Sequence, residues 1–128
     1  MRVISGTAGG RRLKELKGMD TRPTTDKVKE SLFNIIQFDI FGRKVLDVFA
    51  GTGQLGIEAL SRGAKSATFV DATDAACKLI KENLRRTKLE ADAKVVRSDY
   101  MDYLKRCREQ YDIIFLDPPY AEVFLENF

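Results

Sequence analysis

Asp117-Pro118-Pro119-Tyr120 directly follows the apolar run Ile113-Ile114-Phe115-Leu116. That run has the length and branching of a buried strand. The tetrapeptide therefore stands at a strand's carboxyl end, where open α/β sheets bind their ligands. Each proline fixes its own φ and lacks an N–H, and each pushes the preceding residue toward extended geometry. The result is a stiff loop that presents the Asp117 carboxylate and the Pro118 carbonyl as acceptors beside the flat ring of Tyr120. A planar base with an exocyclic amine matches that set, needing a face to stack on and acceptors for its N–H groups. The plainer alternative is a strand-ending turn with an exposed tyrosine, because short motifs recur without function.

A second constellation lies upstream. Asp47-Val48-Phe49-Ala50-Gly51-Thr52-Gly53-Gln54-Leu55-Gly56 holds a complete GxGxxG between a strand and a helix. Glycines there permit a tight turn and close backbone approach to a ligand, with helix N–H groups aimed at it. Asp71 ends the next strand at about the spacing of a carboxylate that grips ribose hydroxyls, although an aspartate at that place also serves as a helix cap. Two features argue against a dinucleotide. Asp47 precedes the glycines, where it would oppose a pyrophosphate but suit an ammonium group. Ser98-Asp99 ends the third strand, where a carboxylate can accept from an adenine amine. A cofactor with an amino acid end, a ribose and an adenine but no phosphate fits all three carboxylates, and S-adenosylmethionine is that molecule.

The elements that must position these residues alternate. Residues 26–37 form a predicted amphipathic helix, capped by Thr24 or Thr25, with Val28, Ser31, Leu32, Ile35 and Ile36 on one face. Strands are expected at Lys44–Phe49, Ala67–Val70, Lys94–Arg97 and Tyr111–Leu116. Helices are expected at Leu55–Arg62, stopped by Gly63, at Thr73–Thr87, and at Tyr100–Arg108. In the helix at 73–87, Ala76, Leu79, Ile80 and Leu84 face the core and Lys78, Lys81, Arg85 and Arg86 lie mostly outside. Strands alternating with helices imply βαβ units and a parallel sheet.

Composition narrows the chemistry. The 128 residues are 44% hydrophobic and 32% charged, enough for one domain with a core. There is no histidine, which removes histidine metal ligands and histidine acid–base catalysis. No metal site is expected. Cys77 and Cys107 form no CxxC pair and read as reduced thiols of a cytoplasmic protein. Neither a signal peptide nor a run long enough to cross a membrane is visible. The net charge of +3 is small, but residues 1–18 hold Arg2, Arg11, Arg12, Lys14 and Lys17 against Glu15 alone. Arg2-Val3-Ile4 and Arg12-Leu13-Lys14-Glu15-Leu16 flank Gly9-Gly10, so residues 1–20 read as a basic hairpin or arm suited to phosphate contacts. A solvated terminus is the alternative. Residues 21–128 make the remaining domain.

Taken in order, Asp47…Gly51-Thr52-Gly53, Asp71, Asp99 and Asp117-Pro118-Pro119-Tyr120 resemble class I S-adenosylmethionine-dependent methyltransferases of nucleobase amino groups. More narrowly, Arg22-Pro23-Thr24-Thr25-Asp26-Lys27-Val28-Lys29-Glu30-Ser31-Leu32-Phe33-Asn34, the block Phe49–Gly53 and Gly56-Ile57-Glu58-Ala59-Leu60-Ser61-Arg62-Gly63-Ala64 resemble the RsmD-type family. Its members methylate the N2 amine of a guanine in 16S ribosomal RNA. The resemblance covers essentially the whole chain and implies a Rossmann-like sheet of order 3-2-1-4 with an N-terminal basic hairpin that engages RNA. It implies S-adenosylmethionine held by Asp47, Phe49, Gly51, Gly53, Asp71, Ser98 and Asp99. Asp117, Pro118 and Tyr120 would carry catalysis, and Arg11, Arg12, Arg22, Thr24 and Tyr120 would face the substrate, ribosomal RNA or a small-subunit particle. The family's sheet has seven strands, and those expected after Tyr120 are absent from these residues. The expectation is a fragment, or a chain that pairs with a second copy through its fourth strand, inactive alone. Two other readings stay open: an adenine-N6 methyltransferase, which shares the tetrapeptide but not the Arg22–Asn34 block, and a cofactor-binding module without activity.

Overall fold

A computed structural model describes residues 1–15 and 25–116. Arg22, Thr24 and the Asp117–Tyr120 tetrapeptide lie outside the described residues. The element order is α1 (Asp26–Ile36), β1 (Lys44–Val48), α2 (Gln54–Ser61), β2 (Ser66–Asp71), α3 (Asp74–Thr87), β3 (Ala93–Arg97), α4 (Tyr100–Arg106) and β4 (Ile113–Leu116). Strand and helix bounds depart from the expected ones by a few residues at most. Thr25 caps α1, its Oγ1 accepting from Val28 N–H at 3.2 Å. Thr73 caps α3 in the same way and so stands just outside that helix.

The four strands form one parallel sheet in the order β3-β2-β1-β4. The register sets Val48 beside both Val70 and Leu116, and Asp71 beside Arg97. All four strands thus end along one edge. Alternate residues divide the core into two layers. Val45, Ala67, Phe69 and Phe115 meet α1, α2, α3 and the N-terminal hairpin on one face. Leu46, Val48 and Val70 meet Tyr100, Tyr103 and Tyr111 on the other. β4 is the outer strand of the described sheet, with Phe115 in the core and Ile114 and Leu116 largely exposed.

α2 approaches β2 very closely. A Cβ on Gly56 would overlap the ring of Phe69, so glycine is required there for the helix to lie against the sheet.

The face of α1 differs from the expected one. Val28 is 57% exposed and Ile35 is 79% exposed, while Lys29 and Phe33 are buried. Lys29 and Phe33 are four apart and so share a face. A lysine in the core defeats any pattern based on hydrophobicity, and its partner lies on α2.

Residues 1–13 form the expected hairpin, with an antiparallel bridge between Arg2 and Arg12 and Val3 N–H donating to Arg11 O at 2.9 Å. It is not a loose arm. Val3, Ala8 and Leu13 belong to the same core cluster as Phe33, Ile57 and Phe69.

Candidate cofactor and RNA-binding site

At the end of β1 the chain turns through Phe49 at φ 60° and Gly51 at φ 60°, and enters α2 at Gly53, its left-handed N-cap with φ 83°. Left-handed backbone is strained at a phenylalanine, on the order of 1–3 kcal/mol, and persists only where surrounding contacts enforce it. Here the Phe49 ring lies 4.8 Å from that of Tyr100, tilted by 48°, and Ala50 N–H donates to Val70 O at 3.1 Å.

Hydrogen bonds tie three strand ends into one unit. Asp71 Oδ2 accepts from Gly51 N–H at 3.0 Å. Its Oδ1 accepts from Thr73 N–H at 3.1 Å and Thr73 Oγ1 at 3.2 Å. Asp71 O accepts from Ser98 N–H at 3.0 Å, and from the Cys77 thiol at 3.7 Å. Burial, and then the Asp71 charge, push the Cys77 thiol up, which keeps it protonated. Asp99 caps α4 through Oδ2, which accepts from Met101 N–H at 3.1 Å and Asp102 N–H at 3.4 Å. Ser98 Oγ donates to Asp99 O at 2.9 Å.

Asp47 is 2% exposed, and its Oδ2 accepts from Gly56 N–H at 3.0 Å, in the first turn of α2. Negative charge is favourable at that end of a helix. A pyrophosphate would compete for the same ground, and Asp47 already holds it. The loop N–H groups of Ala50, Gly51 and Gly53 are also engaged, by Val70 O, the Asp71 carboxylate and Ala50 O. This is a poor cradle for phosphate and a suitable floor for a phosphate-free nucleoside. The structure therefore brings Asp47, Phe49, Gly51, Gly53, Asp71, Ser98 and Asp99 to one edge. β4 ends level with β1 at Leu116, and the tetrapeptide follows it in the chain.

The hairpin rests on a second polar cluster. Glu58 Oε1 accepts from Ile4 N–H at 2.8 Å and its Oε2 from Ser5 N–H at 3.0 Å. Arg62 Nε donates to Glu58 at 2.9 Å, and Lys29 Nζ lies 3.7 Å from it. Lys29 Nζ also donates to Arg2 O at 2.6 Å. Lys29 and Glu58 side chains are both fully buried. Burial lowers the pKa of Lys29, and Glu58 works against that shift. Ser61 Oγ donates to Ser5 O at 2.6 Å and accepts from Ala8 N–H at 2.9 Å. Lys29, Glu58, Ser61 and Arg62 all lie in two of the three blocks that carry the family resemblance. Sequence reasoning missed their role under the hairpin; a lysine and a glutamate at positions otherwise fit for core were the available signal. Arg11 and Arg12 are exposed on the hairpin, and Arg11 Nη1 donates to Arg86 O at 3.1 Å, which sets the hairpin's basic side beside the end of α3.

Solved structures share this architecture. The Escherichia coli protein yhhF superposes with a TM-score of 0.87 at 37% identity, over 98% of this chain and 67% of that one. SMU.776, solved in complex with SAH, superposes with a TM-score of 0.59 at 27% identity, over 67% of this chain and 25% of that one. Sheet order, glycine loop and neighbours define a class I methyltransferase fold. The family model described as Conserved hypothetical protein 95 matches residues 1–128. YlbH of Bacillus subtilis is 50% identical over 95% of this chain and 68% of its own length. Ribosomal RNA small subunit methyltransferase D of Haemophilus influenzae is 42% identical over 94% of this chain and 64% of its own. The chain belongs to this RsmD-type family. It spans about two thirds of the length of these curated relatives.

Proposed function

We propose that this chain binds S-adenosylmethionine at the glycine edge and serves methyl transfer to the N2 amine of a guanine in small-subunit ribosomal RNA. The observation that carries the reading is the Asp71 carboxylate, fixed by Gly51 and Thr73 at the end of β2. It beds a nucleoside without offering a phosphate site. A carboxylate has about four acceptor positions, and three donors are placed on Asp71, which leaves capacity for a ribose hydroxyl. Asp99 would accept from the adenine amine. Asp47 holds the loop that carries Gly51 and Gly53.

When bound, the cofactor supplies an electrophilic methyl group on a sulfonium. The chain's own residues then solve the other half of the problem. A guanine amine is a weak nucleophile because its lone pair is delocalised into the ring. Asp117 and the Pro118 carbonyl would accept its two N–H groups and favour a pyramidal nitrogen. Tyr120 would stack on the base, which must leave its own stack to reach the pocket. Most of the rate then comes from alignment. Arg22 and Thr24 would line the entrance, and Arg11 and Arg12 would contact phosphates. Nucleoside mass spectrometry tests this, after the full-length protein is incubated with methyl donor and unmodified small-subunit RNA, free or in particles. N2-methylguanosine is expected. N6-methyladenosine in its place would refute the base assignment.

A further inference from the structure

Asn83 lies on α3, is none of the residues assigned to the site, and is fully buried. Its Oδ1 accepts from Lys14 N–H at 2.7 Å. Its Nδ2 donates to Lys14 O at 3.0 Å and to Thr52 O at 2.9 Å. Only one orientation of the amide satisfies all three, since the flipped amide would point N–H groups at an N–H and an oxygen at two carbonyls. Thr52 sits between Gly51 and Gly53 in the cofactor loop. Lys14 continues the returning strand of the basic hairpin, ahead of the segment that contains Arg22 and Thr24. One side chain thus spans the loop that beds the cofactor and the strand that leaves the RNA-facing hairpin.

From this geometry we infer that Asn83 is a positioning residue that holds the cofactor loop and the basic hairpin in one register. The inference rests on the proposed function. Without the amide, the Thr52 carbonyl and both backbone groups of Lys14 are left without these buried partners, and each must find another by moving. The two displacements have different readouts, one in cofactor affinity and one in RNA affinity. A residue that merely stabilises the fold would move neither, because well below the melting temperature the dissociation constant belongs to the folded fraction.

The test uses the full chain with Asn83→Ala and Asn83→Asp. The aspartate keeps the shape and the acceptor for Lys14 N–H but removes both donors. S-adenosylhomocysteine is titrated by calorimetry, and a fragment of unmodified small-subunit RNA by anisotropy. Both variants should weaken each ligand by about fivefold or more, whatever their change in melting temperature. Constants within twofold of wild type for either ligand, in either folded variant, would overturn the role. Failure of both variants to fold would also overturn it, leaving Asn83 a folding residue only. Wild-type protein that binds neither ligand would refute the proposed function itself and this inference with it.

Discussion

The cofactor edge and the hairpin dock both pair carboxylates with backbone N–H groups but, the buried Asp47 apart, under opposite solvent conditions. At the edge, Asp71 is partly exposed and holds the Gly51 loop and its own turn, while Asp99 is exposed and caps α4. In the dock, Glu58 is fully buried and joins two N–H groups from residues more than 50 positions away to a lysine and an arginine. An exposed carboxylate can exchange water for a ligand at small cost. A buried one cannot be left unpaired. On the proposed reading the edge takes a guest, and the dock keeps a permanent part in place.

The sharpest way to break that contrast is Glu58→Ala. It leaves the buried Lys29 without its carboxylate partner, and stability should fall by about 3–5 kcal/mol. Chemical denaturation would measure it, and a loss below about 1 kcal/mol would contradict a tightly packed dock. Asp117→Ala should lower methyl transfer on the order of 10²–10³-fold, the scale of removing one partner at a reacting centre. Affinity for S-adenosylhomocysteine should stay within about tenfold, or 1.4 kcal/mol. Near-normal turnover would remove Asp117 from the chemistry. Asp71→Ala should weaken S-adenosylhomocysteine by roughly 1–3 kcal/mol, with little effect on RNA affinity. Calorimetry showing unchanged affinity would take Asp71 out of the cofactor site.

The smallest effect belongs to the hairpin's exposed cations. Arg11→Ala and Arg12→Ala should leave stability nearly unchanged. Each should flatten the slope of log affinity for RNA against log salt by roughly 0.7–0.9 for every phosphate that the arginine had neutralised. Identical slopes would mean that neither arginine touches phosphate. Point variants are the clean probe, because Val3, Ala8 and Leu13 make the hairpin part of the core.

The sheet order and the gathering of Asp47, Gly51, Asp71 and Asp99 at one edge were legible in the sequence. Strand periodicity and the rule that ligands bind at strand ends suffice for both. The α1 face was not legible, since the buried position is Lys29 and two of the apolar residues, Val28 and Ile35, face solvent. Glu58 was hidden for the same reason: a charge enters a core only with a partner and, Arg62 apart, its partners are on α1 and in the hairpin. Asn83 carried no signal, because nothing along the chain relates position 83 to positions 14 and 52. The cap made by Asp47 on Gly56 was foreseen only in its exclusion of pyrophosphate.

The contact between Gly56 and Phe69 sets a mechanical tolerance. The thickness of the layer between α2 and the sheet is fixed by an aromatic ring lying against bare backbone, with no methyl group between them. Adding that methyl would lift the first turn of α2, and the loop would travel with it as a rigid lever. A smaller side chain at position 69 would restore the gap. Those two positions should therefore be exchangeable as a pair and intolerant singly, which makes them a calibration point for the cofactor floor that touches no ligand.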